Sequence, residues 1–180
     1  MYQRHYYAYS ETEDHQVLDL EYKGGEYVMT VILPRETGGI GELSGTPGAE
    51  LLARHDTLKQ RKDVLVYLPK FRMETKYELS PFLSGLGIKT AFTPAADFSG
   101  MTGGKDLMIS AVLHKAFIEV DEKKTEAAAA TSVVMRLTAM PPAPEAPVEF
   151  RADHPFMFVI RHRDDKAVLF IGHLIEPEAS

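Results

Sequence analysis

Apolar and polar positions alternate with the period of a strand at residues 6–9 and again at 16–22. Lys23-Gly24-Gly25-Glu26 supplies a tight turn, and residues 27–33 follow as a second strand stopped by Pro34. The second arm of this hairpin is apolar enough to be covered on both faces. Residues 38–48 form a glycine-rich connection, and Leu51, Leu52 and Leu58 at helical spacing predict one amphipathic helix over 49–61. A strand over 64–68 ends at Pro69, and residues 70–77 continue extended. Ser80 is expected to cap a short helix with Pro81 at its first position, closing near Gly85 and Gly87. Residues 90–104 are turn-rich. Over 107–120 both alternating sets are apolar: Met108, Val112 and Ala116 on one side, Ile109, Leu113 and Phe117 on the other. That predicts one long strand inside a sheet. Phe150 and the runs 156–160 and 168–174 close the chain as strands, the last two joined by a turn at 163–166. The fold class is α+β: multi-stranded antiparallel sheet with a few short helices.

Composition narrows the roles. A chain of 180 residues with 44% hydrophobic content suits one packed domain, and a net charge of -6 argues against nucleic acid or a membrane surface as partner. Two basic clusters, Lys59-Gln60-Arg61-Lys62 and Arg161-His162-Arg163, read as solvated turns or helix ends. There is no cysteine, so disulfides are excluded and the redox compartment stays open. No run resembles a signal peptide or approaches the length of a membrane span. Seven scattered histidines (His5, His15, His55, His114, His154, His162 and His173) show no ligand spacing, so no metal and no cofactor is expected. There is no phosphate-binding glycine loop, no His-Glu-x-x-His and no Gly-x-Ser-x-Gly, and the chain is read as not an enzyme.

The unusual stretch begins at Glu122. Lys123, Lys124, Thr125 and Glu126 run into Ala127, Ala128, Ala129 and Ala130, then Thr131 and the β-branched pair Val133-Val134. Alanine favours helix, but nothing beyond it continues one. Small uncharged side chains can enter a crowded groove between strands at little steric cost, so the segment reads as a loop able to become a strand. In such a strand Thr125, Ala127, Ala129 and Thr131 share a face without charge or bulk, while Lys124, Glu126, Ala128 and Ala130 share the other.

This segment, its proline-rich exit and the short apolar strand after it resemble the hinge and reactive-centre loop of the serpins. Phe150-Arg151-Ala152-Asp153-His154-Pro155-Phe156 is similar to the family's C-terminal signature. Residues 168–177, 68–74 and 91–100 are also typical, all in the family's order. The resemblance covers only the C-terminal half of a serpin, so the chain is expected to be one partial domain. Residues 1–120 would lead to the long central-sheet strand, 121–147 would form hinge, loop and exit, and 148–180 the closing strands. The family is commonly secreted, although nothing in this sequence fixes a compartment.

What the resemblance implies is inhibition of a serine protease as a suicide substrate. Counting the loop from Thr125 places the scissile bond at Thr138-Ala139, with Met135, Arg136, Leu137 and Met140 around it as bait. A threonine at the cleaved position fits the small pocket of an elastase-like protease. His114 is implied as a gate that hydrogen-bonds across the strands that part for the loop; read alone, it would be a satisfied core residue. Lys124 stands where the family usually has glycine, which should slow insertion. The expected partners are the target protease, held as a covalent acyl complex where the chain is competent, and the missing N-terminal half; loop-sheet oligomers are a further outcome. Alone, the half-chain is expected to be a poor inhibitor. Two other readings stay open: a truncated, non-inhibitory serpin acting as a binding or strand-donating module, and an inactive remnant or substrate.

Overall fold

The computed structural model describes residues 2–45, 48–121 and 146–176. The chain divides into two compact units, residues 1–71 with 120–180, and residues 72–119.

The first unit is built on a seven-stranded sheet. In chain order its strands are β1 (Tyr2–Glu11), β2 (His15–Glu21), β3 (Tyr27–Pro34), β4 (Gln60–Tyr67), β7 (Val148–Arg151), β8 (Phe156–His162) and β9 (Val168–Leu174), arranged β7-β4-β1-β2-β3-β8-β9. Every pairing is antiparallel except β4 with β7, which is parallel. The hairpin of β2 and β3 forms as its alternation predicts, with Gly24 and Gly25 at positive φ in the turn. Strand β1 serves two partners. Residues Tyr2 to Tyr9 pair with β4, whereas only Ala8 to Glu11 pair with β2.

Among the described residues this unit holds two helices, α1 (Ile40–Gly45) and α2 (Gly48–Leu58). The glycine-rich connection therefore holds a helical turn that its composition concealed. The predicted amphipathic helix is real but ends at Leu58, because Gln60 and Arg61 already pair with Tyr9 and Ala8 in the sheet. Leu43, Leu51 and Leu52 pack on Val17, Ile32, Met157 and Val159, all buried, and form the core under the helices. On the other side Phe71 meets Phe156 and Phe158 at ring-centroid distances of 6.0 and 5.4 Å.

The second unit pairs β5 (Phe71–Glu78) with β6 (Leu113–Val120) and adds α3 (Ser80–Gly85), a 3-10 turn at Thr90–Phe92 and α4 (Ser99–Thr102). Three expectations are corrected here. The long strand begins at Leu113, not at residue 107, because the Val112 N–H is taken by Ser80 Oγ at 3.0 Å and Glu78 Oε1 at 3.3 Å instead of a ladder partner. Ser80 is consequently not the cap: it lies inside the first turn, Leu79 occupies the capping position without a side-chain bond, and Glu78 Oε1 accepts the Ser80 N–H at 3.0 Å. Strand β6 does not lie inside a sheet, since β5 is its single pairing among the described residues. Of described residues 72–119 Ala96 alone is buried.

Candidate functional site

Both roots of the predicted loop are described. The hinge, bait residues and scissile bond (Glu122, Lys124 to Thr131, and Met135 to Met140) lie outside the described residues. Strand β6 ends at Val120, immediately before the hinge, and β7 begins at Val148 just after the proline-rich exit.

His114 stands near the start of β6 with its side chain exposed. Ala116, Ile118 and Val120, on the same face by strand period, are half-buried. Among the described residues His114 holds no cross-strand hydrogen bond, and the gate role stays an implication of its position.

The exit root is fixed by several contacts. Val148, Glu149, Phe150 and Arg151 run parallel to Val64, Leu65, Val66 and Tyr67, and Phe150 is fully buried. The Arg151 guanidinium stacks over the Tyr67 ring, 3.9 Å from its centroid, and bonds the Glu149 carboxylate at 2.6–2.7 Å. Gln16 Nε2 donates to the Glu149 carbonyl at 3.0 Å, and the Ala152 N–H to the Tyr67 carbonyl at 2.8 Å. Beyond β7, His154 Nε2 reaches the Pro34 carbonyl at 2.7 Å while Nδ1 faces Asp153 at 2.9 Å, so the Asp-His-Pro signature ties the chain back to the end of β3.

The densest polar cluster lies elsewhere, under the C-terminal half of α2, and sequence reasoning missed it. Arg161, 2% exposed, makes a two-pronged bond to Asp56 at 2.7 and 2.9 Å and donates to Thr30 Oγ1 at 3.2 Å. Lys59 bridges Asp56 and Asp19 at 2.7 and 3.1 Å, and Thr30 donates to Asp19 at 2.6 Å. His55 sits between Ser10 Oγ, 2.7 Å from Nδ1, and Asp19 Oδ1, 3.1 Å from Nε2. Burial pushes the Asp19 carboxyl up. The His55 ring beside it, the Thr30 hydroxyl and the Lys59 charge outweigh it and hold the group low, at about 2.

Arg161 and Lys59 thus correct the reading of both basic clusters as solvated. The signal was in the strand period: Met157, Val159 and Arg161 share the face on which α2 packs, as do Val17 and Asp19 on β2. A buried cation there requires buried anions. The Ser10-His55-Asp19 order has the chemical types of a hydrolytic relay, but Ser10 and His55 are buried in the helix–sheet interface and the cluster is a structural one. Among the described residues no group of three or more His, Cys, Asp or Glu could hold a metal ion, and no helix is long and apolar enough to cross a membrane.

Comparison with known proteins matches this arrangement. A family model described as serpin (serine protease inhibitor) matches residues 1–177. An uncharacterized serpin-like protein of Thermococcus kodakarensis is 40% identical over 178 residues, covering 99% of this chain and 41% of that protein. Human leukocyte elastase inhibitor is 38% identical over 188 residues, covering 98% and 48%, and iripin-4 of Ixodes ricinus 42% over 160 residues, covering 88% and 39%. Among solved structures, uncleaved ovalbumin superposes with a TM-score of 0.81 at 32% identity, over 98% of this chain and 44% of that one. The chain spans less than half the length of these relatives. The mixed sheet with its few short helices superposes on the ovalbumin fold over nearly the whole chain, and the chain belongs to the serpin family.

Proposed function

We propose that this chain is the loop-bearing part of a serine-protease inhibitor that acts as a suicide substrate. The observation that carries the reading is the position of the hinge: it follows β6 directly, and the edge of β6 away from β5 has no strand partner among the described residues. A hinge whose buried face would be Thr125, Ala127, Ala129 and Thr131 can pair there without bringing in charge.

The target protease's serine oxygen attacks the Thr138 carbonyl carbon, the Thr138–Ala139 bond breaks, and Ala139 leaves as a new amino terminus with the proton the protease supplies. The chain itself contributes no acid, base or nucleophile and is not an enzyme. Its contribution is insertion of the freed hinge beside β6 before water hydrolyses the acyl ester. Thr138 favours an elastase-like target, a preference supported by the likeness to leukocyte elastase inhibitors. His114, near the start of β6, is proposed as the gate that would bond across the strands that part for the hinge.

Insertion does work only where a closed sheet resists it. With the β6 edge open among the described residues, the hinge can pair at once and no energy remains to distort a protease, so the chain alone is an inefficient inhibitor. Incubation with elastase-like, trypsin-like and subtilisin-like proteases, followed by denaturing gel and intact mass, tests this. The expected result is cleavage between Met135 and Met140 without adduct. A stoichiometric covalent complex with the isolated chain would overturn the inefficiency, and absence of any cleavage in that window would overturn the loop assignment. A second reading, a strand-donating or strand-accepting binding module, is favoured by β9, an edge strand whose Val168, Leu169, Phe170 and Ile171 are all more than 40% exposed.

A further inference from the structure

The first unit holds a cleft of about 610 Å3, a volume in the range of small-molecule sites. The β1–β2 turn, the connection from β3 to α1, and both helices wall it. Leu43 and Leu51 supply an apolar patch, and His15 lines the cleft beside them.

His15 is 7% exposed, and the turn around it fixes which ring nitrogen carries the proton. Thr12 Oγ1 accepts the N–H groups of Asp14 and His15 at 3.3 and 3.2 Å, so both its lone pairs are engaged. Its own proton is therefore what lies along the 3.2 Å contact to His15 Nδ1; the other acceptor in reach, the His15 carbonyl, is farther at 3.4 Å. Burial, with the Arg54 and Arg35 charges acting against that of Asp14, holds the ring pKa below its ordinary 6.5. In the neutral ring Nδ1 accepts, and the proton sits on Nε2. Nε2 has no partner among the described residues. Unlike His55 Nε2 it is not enclosed, so this donor opens on the cleft.

The charges around it are divided. Arg35 is committed, to Glu11 at 2.5 Å and to the Thr12 carbonyl at 3.0 Å. Arg54, exposed on α2, has no hydrogen bond or ion pair to a described residue. A buried N–H donor beside an uncommitted guanidinium calls for a carboxylate. The same cleft carries Glu13, Asp14 and Glu36, whose carboxylates form no ion pair among the described residues and suit an ammonium group.

We propose that this cleft binds a zwitterion with an apolar side chain, a free amino acid or a short peptide. The ligand's carboxylate accepts from His15 Nε2 and pairs with Arg54. Its ammonium faces Glu13, Asp14 and Glu36, and its side chain lies on Leu43 and Leu51. The site uses no residue of the hinge or bait loop and stands apart from the inhibitor reading.

The test is magnetic resonance of the full chain at about pH 7.5, where the ring is neutral, titrated with leucine and with leucyl-leucine. Saturable shifts of the His15 ring are expected, with a Kd of about 1 mM, while His114 in the other unit stays still. The tighter of the two ligands identifies the source as amino acid or peptide. Its amide, which lacks the carboxylate, should bind about tenfold more weakly, and its N-acetyl form, which lacks the ammonium, about threefold more weakly. Arg54→Gln keeps a good helix former on an exposed position and should also cost about tenfold. A His15 ring unmoved by about 20 mM of both ligands overturns the site. Undiminished binding of the amide, or by the Arg54→Gln chain, overturns the carboxylate pocket and the proposal with it. An N-acetyl form that binds as well as its parent overturns the zwitterion assignment.

Discussion

At the scale of single residues, the buried cluster under α2 sets the pH dependence of this chain. Two carboxylates, Asp19 and Asp56, balance Lys59 and Arg161, so the charges are paired, but the cluster is sensitive to loss of any one member. Asp19 has an ordinary value of 3.8 and is held at about 2 in the fold. The folded chain therefore binds fewer protons than the unfolded chain between those values. The stabilisation is fully present above about pH 4 and is lost as the pH falls through 2, and it amounts to about 2 kcal/mol. Asp56 is lowered too: its bonds to Arg161 and Lys59 overcome the opposing effect of burial, and its contribution has the same sign. Urea unfolding at pH 7, 4 and 2.5 should show this loss, and Asp19→Asn should flatten it by about 2 kcal/mol while lowering stability at pH 7. An identical pH slope in the variant would mean that Asp19 is not held low. Arg161→Met tests the other pole. It leaves Asp56 with Lys59 and the more distant Lys166, 3.7 Å away, and should cost about 3 kcal/mol, read from the same unfolding curves at pH 7.

At the scale of elements, β9 depends on a missing side chain. Gly172 is paired with Phe158, and a Cβ on Gly172 would lie 2.6 Å from Phe158 Cζ and 3.0 Å from Cε1. Phe158 is buried against Phe71 and has little room to move. Gly172→Ala should cost about 1–3 kcal/mol in chemical denaturation by overpacking, and Phe158→Leu in the same chain should recover part of it; additive losses would refute the contact. Gly172 illustrates what a single sequence conveys. Alternation marked β2, unbroken apolar runs marked β3 and β8, which are buried on both faces, and period-3.6 spacing marked α2, which buries one apolar stripe. Helix α1 was hidden because Gly38, Gly39 and Gly41 weaken local propensity while only Leu43, with Ile40 half-buried beside it, packs on the core among its described side chains. Residues 107–112 resembled strand in composition, but Ser80 and Glu78 take the Val112 N–H, and such a bond between distant side chain and backbone leaves no periodic trace. The candidate site divides the same way. The hinge reading rests on a local sequence pattern outside the described residues, whereas Arg151 over Tyr67 joins residues 84 positions apart and appears only once β7 is laid beside β4.

At the scale of the whole molecule, the two units differ in how much they bury. Residues 2–34 and 148–162 hold the fully buried side chains Leu18, Val31, Ile32, Phe150, Phe156 and Val159, whereas Ala96 alone is buried in described residues 72–119. A two-stranded sheet with so little apolar cover is marginal in water. Hydrogen exchange should therefore find the amides of β5 and β6 opening at far lower free energy than those of β2, β3 and β8, with protection lower by about a hundredfold or more; equal protection would show that the second unit is supported as well as the first. The same shortage of cover appears at β9, which ends the large sheet with Val168, Leu169, Phe170 and Ile171 at 51, 52, 41 and 61% exposure. An apolar edge of this kind pairs with another strand when one is offered, and in a solution of this chain alone the strand offered is another copy's. Sedimentation across about a hundredfold range of concentration should show reversible association. Ile171→Lys, which puts a charge on the edge without touching the Phe158–Gly172 contact, should shift it toward monomer. A chain that stays monomeric throughout would refute association through the β9 edge.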